Sequence, residues 1–173
     1  MVHSEILETP NIPPTKGVWT WYGSSTINAP ASSVWSTIRD FNSYPHWNTY
    51  TPHIRTPSNT NAIAPSDTIT LSYRPNATSP TTDIPCQILE VNEEAMRLSW
   101  RGCLPWVPTF VLLPEKVQRV TKVSETQCLY EVYETQAGVL AYVVMWALGD
   151  KQSAMAREQA EGLRKFVEGG QGQ

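Results

Sequence analysis

The sequence predicts an α+β fold in which a curved antiparallel sheet of about seven strands wraps around a long C-terminal helix, with two small helices after the first strand. Three observations predict it. Residues 138–167 open on an apolar run, then keep Ser153, Ala156, Ala160, Leu163 and Val167 at three- and four-residue steps, with Lys151, Arg157, Glu158, Glu161, Arg164 and Lys165 on the other side. Upstream, runs of period-two alternation are separated by turn-rich stretches, the pattern of an antiparallel meander. Between the first such run and the rest lies a segment of helical spacing opened by Pro30.

In chain order, residues 1–16 read as an irregular arm, because Pro10, Pro13 and Pro14 oppose helix and cannot donate to a ladder. The arm either frays or lies over the body. Residues 18–28 read as a strand with Trp19, Trp21, Gly23, Ser25 and Ile27 on one face. Val34, Trp35 and Ile38 then follow Pro30 at helical spacing up to Asp40, and residues 41–48 hold another turn or two, broken around Pro45. Six further strands are expected at 50–56, 67–74, 85–92, 96–101, 109–123 with a break at Pro114, and 127–135. Turns are expected at 58–66, 75–83, 92–95, 102–108 and 124–126.

The apolar opening of the last helix is too short to cross a bilayer, which takes about 20 apolar residues, so it is expected to bury itself inside the protein. With 173 residues the chain fits one domain, taken as 17–169 with a disordered tail at 170–173. A net charge of −3 without a basic stripe argues against nucleic acid as a partner. Cys86, Cys103 and Cys128 are odd in number and widely spaced, which suits reduced thiols in the cytoplasm rather than a disulfide framework. The first 16 residues lack the pattern of a secretory signal, so Asn76-Ala77-Thr78 reads as an unmodified loop.

The run from Ile27 to Asn48 carries Ala29-Pro30, Val34-Trp35, Asp40, Tyr44 and Trp47-Asn48. It resembles the opening of the START-like (SRPBCC, helix-grip) superfamily, in its polyketide cyclase/dehydrase branch. Leu98-Ser-Trp-Arg-Gly102 and Glu134-Thr-Gln-Ala-Gly138 are similar to two further signatures of that branch, so the likeness runs from about Val18 onward. The resemblance implies a seven-stranded sheet gripping the C-terminal helix around an internal pocket. It implies no shared catalytic set, because the superfamily includes cyclases, lyases, lipid carriers and hormone sensors. The Pro- and Trp-rich loop 102–108 and the arm depart from the pattern and could reshape a cavity mouth.

Seven Trp and seven Tyr suit the lining of a site for an apolar molecule, although most such rings serve to fill cores. Alternation places Ile69, Leu71 and Tyr73, then Met96, Leu98 and Trp100, then Cys128, Tyr130, Val132 and Glu134 on the concave face. Glu134 ends an otherwise apolar face, where desolvation would raise its pKa toward a range useful for acid–base work. His46 could shuttle a proton, and Tyr73 and Tyr130 could donate to a carbonyl or developing enolate. These four are the candidate catalytic residues.

The candidate ligand contacts are Trp47, Leu71, Leu98, Trp100, Trp106, Phe110, Val132, Tyr142 and Trp146. The last two, one turn apart, are expected to face the sheet, and Trp47 and Trp106 to stand at the entrance. Phosphate loops, serine elbows and dinucleotide fingerprints are missing, and three scattered histidines do not make a zinc site, so neither a cofactor nor a metal is expected. The expectation is a cofactor-independent cyclase, dehydratase or isomerase acting on a hydrophobic oxygenated small molecule. A non-catalytic carrier or sensor is the alternative. Neither needs stable membrane insertion, and the protein would be a monomer or homodimer.

Overall fold

The computed structural model describes residues 5–57, 62–104 and 106–170. Seven strands form one antiparallel sheet in the order β1-β7-β6-β5-β4-β3-β2. They are β1 (Trp19–Ile27), β2 (His53–Arg55), β3 (Thr68–Tyr73), β4 (Thr82–Asn92), β5 (Arg97–Gly102), β6 (Leu113–Lys122) and β7 (Cys128–Ala137). Three α-helices accompany them, α1 (Ala31–Arg39), α2 (Tyr44–Trp47) and α3 (Ala141–Gly170), with a single 3₁₀ turn, Phe41–Ser43, between the first two. Strands β2 to β7 run as a meander, and β1 closes on β7 from Trp19 opposite Gln136 to Ile27 opposite Cys128. A register shift between Ile88 and Glu90 marks a bulge in β4, a device that bends a strand and helps a sheet to curve.

The expected order of elements matches this architecture, and the boundaries differ where proline was read too strictly. Strand β4 begins at Thr82 and runs through Pro85. In β6 the break expected at Pro114 is instead the strand's start: Leu113 and Pro114 already pair with Ala137 and Gln136, and residues 109–111 are turn. Residues 58–61 of the expected turn at 58–66 and 171–173 of the expected tail lie outside the described residues, while Gly170 is helical.

Helix α3 crosses the concave face, chiefly over β1 and β7. It comes close because Gly23 has no side chain: a Cβ there would sit 2.3 Å from the backbone of Ala156. Gly138, just before the helix, has φ +97°, and a Cβ on it would lie 2.5 Å from the Val111 carbonyl oxygen, so both backbone conformation and space call for glycine there.

The described part of the N-terminal arm, residues 5–16, lies over the convex face, and residues 1–4 of that expectation fall outside the described residues. Thr9 Oγ1 and the Asn11 backbone N–H donate to Glu115 Oε2 at 2.7 and 3.0 Å, and Asn11 Nδ2 donates to Oε1 at 2.9 Å. The fully buried Glu115 carboxylate is thereby satisfied by the arm. Tyr133 Oη donates to the Glu8 carbonyl, Thr135 Oγ1 donates to that of Leu7, and Ile12 is buried.

The apolar opening of α3 corrects one expectation. Val144 and Met145 are partly buried, but Val139, Tyr142, Val143 and Trp146 are exposed. The helix is long enough to carry its own hydrogen bonds, so its first turns do not have to bury every apolar residue they contain.

Candidate functional site

Each central strand runs from a filled half of the concave face into a hollow half. Ile69, Ile88, Leu98, Gln118 and Tyr130 are buried in the filled half, beneath α1 and the C-terminal part of α3. Farther along the same strands, Leu71 and Tyr73, Ile84 and Cys86, Trp100 and Gly102, Pro114 and Lys116, and Glu134 and Gln136 line a cavity of about 310 Å³. Trp21 of β1 joins them, and Tyr50, Thr51, Leu104 and Leu112 complete the wall from loops. The lid is one stripe of α3: Val144, Leu148, Gln152, Met155, Ala156 and Gln159. These recur at three- and four-residue steps, as one face of a helix must.

Lys116 and Glu134 are the two lining residues that carry formal charge. They are direct partners across the β6–β7 ladder, so their side chains rise from the same face as cross-strand neighbours. Both line the cavity and are mostly, not wholly, withdrawn from solvent. Burial raises the Glu134 pKa above the ordinary carboxylate value, opposed by a hydrogen bond from Gln136, the charge of Lys116 and the Trp21 indole N–H. Gln136 Nε2 donates to Glu134 Oε1 at 2.7 Å and Trp21 Nε1 donates to it at 3.3 Å. Trp19 Nε1 in turn donates to Gln136 Oε1 at 3.2 Å, which fixes which end of that amide faces Glu134.

Burial pulls Lys116 down to about 8, opposed by the nearby Glu134 and Cys86. Its ammonium lies 5.3 Å from the centre of the Trp21 ring and 5.8 Å from that of Trp100, a cation–π position on two indoles. Lys116 Nζ donates to Gln159 Oε1 at 2.8 Å. The Gln159 amide nitrogen is held from behind, donating to Gln118 Oε1 at 3.2 Å and Tyr130 Oη at 3.1 Å, so its oxygen is presented to the lysine. Gln118 Nε2 continues this chain to Tyr44 Oη, which donates to the Ile38 carbonyl. Gln152 lines the cavity from α3, and its buried Oε1 has no protein partner.

Of the candidate catalytic residues, the cavity brings together Glu134 and Tyr73. Burial and the charge of Glu134 raise the Tyr73 pKa, and its hydroxyl lies 3.8 Å from Met155 Sδ. Tyr130 is fully buried behind the wall, its hydroxyl donating to Gln118 Oε1 at 2.6 Å, so it orients Gln159 instead of meeting a ligand. His46 lies outside, exposed and stacked on Phe166 with ring centres 6.1 Å apart, because α2 packs against the far part of α3.

Of the candidate ligand contacts, Leu71 and Trp100 line the cavity. Leu98 and Val132 share its strands but sit in the filled half. Trp47 is buried against Tyr44, its indole N–H on Ser43 Oγ, away from any entrance. Tyr142 and Trp146 are 60% and 87% exposed. The inward stripe passes through Val144 and Leu148, and a two-residue offset at 3.6 residues per turn rotates a side chain by about 200°. Trp106 is 99% and Phe110 73% exposed: backbone bonds from Val139 and Leu140 to the carbonyls of Phe110 and Val111 tie this loop to the helix start, leaving both rings outside.

Lys116, Gln159, Gln152 and Cys86 were missed by sequence reasoning. The alternation of β6 was the available signal, since Lys116 shares a face with Gln118 and Val120. A lysine on a half-polar strand reads as solvent-facing until its partner strand is known. The three cysteines are free thiols, and burial pushes that of Cys86 up to about 12.

Residues 19–168 match the family described as polyketide cyclase / dehydrase and lipid transport. The chain is 30% identical to oxopyrrolidines biosynthesis cluster protein O of Penicillium oxalicum, over 94% of this chain and 93% of that protein. Among solved structures, a hypothetical protein of Helicobacter pylori superposes with a TM-score of 0.75 at 13% identity, covering 96% of this chain and 98% of that one. Norcoclaurine synthase from Thalictrum flavum, in complex with dopamine and hydroxybenzaldehyde, does so with a TM-score of 0.62 at 10% identity, covering 90% of each. At those identities the two structures speak for the helix-grip fold alone. With that fold, the family match over most of its length and the fungal relative, the chain belongs to the polyketide cyclase / dehydrase and lipid transport family.

Proposed function

We propose that the protein is a cofactor-independent cyclase or dehydratase of a biosynthetic pathway, acting on a hydrophobic, oxygenated small molecule with an enolisable carbonyl group. One observation carries the reading: an apolar cavity whose two charged groups are paired across adjacent strands and both displaced toward neutrality by burial. The family description and the relative from a biosynthesis cluster support it. That relative belongs to a cluster for oxopyrrolidines, five-membered nitrogen rings bearing a carbonyl, which agrees with a carbonyl-bearing substrate.

Glu134 is the acid–base residue. Its carboxylate takes a proton from the carbon beside the carbonyl, and in the acid form it returns the proton to a departing hydroxyl. The Lys116 ammonium polarises the carbonyl and holds the negative charge of the enolate, and Tyr73 is placed to add a second hydrogen bond. Trp21, Trp100, Leu71 and the α3 stripe hold the chain folded so that its ends meet, which lowers the entropic part of the barrier. The test is turnover of enolisable di- and tricarbonyl chains by the purified protein. Glu134→Gln should cut the rate by about 10² to 10⁴-fold with folding intact, and His46→Ala should leave it unchanged. An unaltered rate in Glu134→Gln would remove the acid–base assignment.

The alternative of a non-catalytic carrier draws on the lipid-transport half of the family description and on the exposed rings of Tyr142 and Trp146 beside the lid. A carrier would retain one unaltered apolar species through purification, which mass spectrometry of a solvent extract would reveal.

A further inference from the structure

Lys116 is built as more than a point charge. A lysine that serves only as a cation is best served by an ion pair, and among the described residues no carboxylate lies within ion-pairing distance of its Nζ. It holds one hydrogen bond, to the neutral Gln159 Oε1, and stands between two indole rings at the wall of the cavity. Of the amine's three N–H directions or lone pair, a single one is committed to protein. Lys116 itself is part of the cavity wall.

We propose that Lys116 is a nucleophile that forms a covalent imine with an aldehyde or ketone substrate in this cavity, Glu134 moving the protons. The proposal rests on the carbonyl-substrate reading above and deepens it, with a covalent role for Lys116 in place of the electrostatic one given there. The neutral Nζ adds to the carbonyl carbon, an N–C bond forms, and the amine proton passes to the carbonyl oxygen to give a carbinolamine. Glu134 in its acid form protonates that hydroxyl, which leaves as water, and the nitrogen lone pair closes the C=N bond of a protonated imine. The Glu134 carboxylate, now deprotonated, removes a proton from the adjacent carbon. The resulting enamine attacks a second carbonyl of the same molecule, a C–C bond forms, the proton held by Glu134 passes to the new alkoxide oxygen, and water hydrolyses the re-formed iminium to free the lysine. No oxidant or reductant is involved, and the water released is returned.

The surroundings favour this step. Desolvation makes the neutral, nucleophilic form of a lysine accessible near neutral pH, the usual way such residues are activated. The titratable groups facing Lys116 are Glu134 from β7, Cys86 from β4, Tyr73 from β3 and Tyr50 from the loop after α2; the stripe of α3, Trp100 of β5 and Trp21 of β1 bring none. Of these four, Glu134 alone is a carboxylic acid, and it lies on the strand next to Lys116, where a proton carrier is needed.

The test is trapping on the full chain. The protein is incubated with cinnamaldehyde and sodium cyanoborohydride, then examined by intact mass and peptide mapping. The expected product is one adduct, heavier by the aldehyde less one oxygen atom, on Lys116. It should form at least about ten-fold faster than any adduct on Lys16, Lys122, Lys151 or Lys165, because those amines are exposed and lack the desolvation that activates Lys116. The rate should rise with pH and level off above about 8. Lys116→Arg, which keeps the charge, should lose the adduct. Modification spread evenly over the five lysines, or none at Lys116, overturns the proposal. If ring closure by the wild type persists in that case, the acid–base reading stands without the covalent step. An adduct on Lys116 without turnover of any carbonyl chain upholds the reactive lysine and removes the cyclase reading.

Discussion

Lys116 and Glu134 are each placed where the folded chain disfavours their charge, and the pH dependence of stability follows from that. For Lys116 the folded pKa, about 8, lies below the unfolded value, so between about 8 and 10.5 the unfolded chain binds more protons than the folded one. Stability therefore rises with pH through that window, while below it the full desolvation penalty is present. For Glu134 the folded pKa is raised, so the penalty is absent in acid and appears as pH rises through that value. Replacing a buried charge pair by neutral groups of similar size is often stabilising by about 1–4 kcal/mol. The double variant Lys116→Met/Glu134→Gln is accordingly expected to be inactive and more stable than wild type at pH 7 by about 1–3 kcal/mol, an advantage that shrinks between pH 8 and 10.5. Urea denaturation across that pH range checks it. At this scale the sequence disclosed half the pair: Glu134 stood out by ending an apolar face, whereas Lys116 lies in the alternating polar run of β6, where Glu115 and Arg119 face the other way. Its meaning depends on the register with β7, which no local pattern carries.

Elements were legible wherever one face is apolar and the other polar. The buried stripe of α3 through Ser153, Ala156, Ala160, Leu163 and Val167 is the one its spacing indicates, and the strands follow their alternation. What local pattern could not give is which apolar residues stay outside. Tyr142 and Trp146 are as apolar as Val144 and Leu148, and only the angle at which α3 meets the sheet separates them. The arm was ambiguous for the opposite reason, since its structure is imposed by a group 104 to 106 residues away, the Glu115 carboxylate. Thr9→Val is nearly isosteric and removes one donor from that buried charge. A loss of about 1.5–3 kcal/mol is expected, read as a lower urea midpoint with an unchanged slope.

At the scale of the molecule, the sheet and α3 close fully at one end and stop short at the other, and this unequal filling makes a site from an otherwise ordinary core. The resemblance to the helix-grip superfamily foretold a pocket but not which half of each strand would line it. The same geometry divides α3 into a face that belongs to the cavity and one that does not. Val144 and the half-exposed Leu148 line the cavity, while Val143 and Trp146 do not and are 55% and 87% exposed. An enzyme needs only the inward face, whereas a carrier collecting ligand from an apolar source needs the outward one as well. The variant Val143→Ser/Trp146→Ser therefore separates the two readings. Turnover and the affinity of the cavity for an apolar ligand are expected to stay within about two-fold of wild type, while binding of a surface-sensing dye falls with the exposed apolar area. Should the variant instead lose about ten-fold in its rate of taking an apolar ligand from vesicles, with cavity affinity unchanged, the outward rings serve ligand collection and the carrier reading gains over the cyclase.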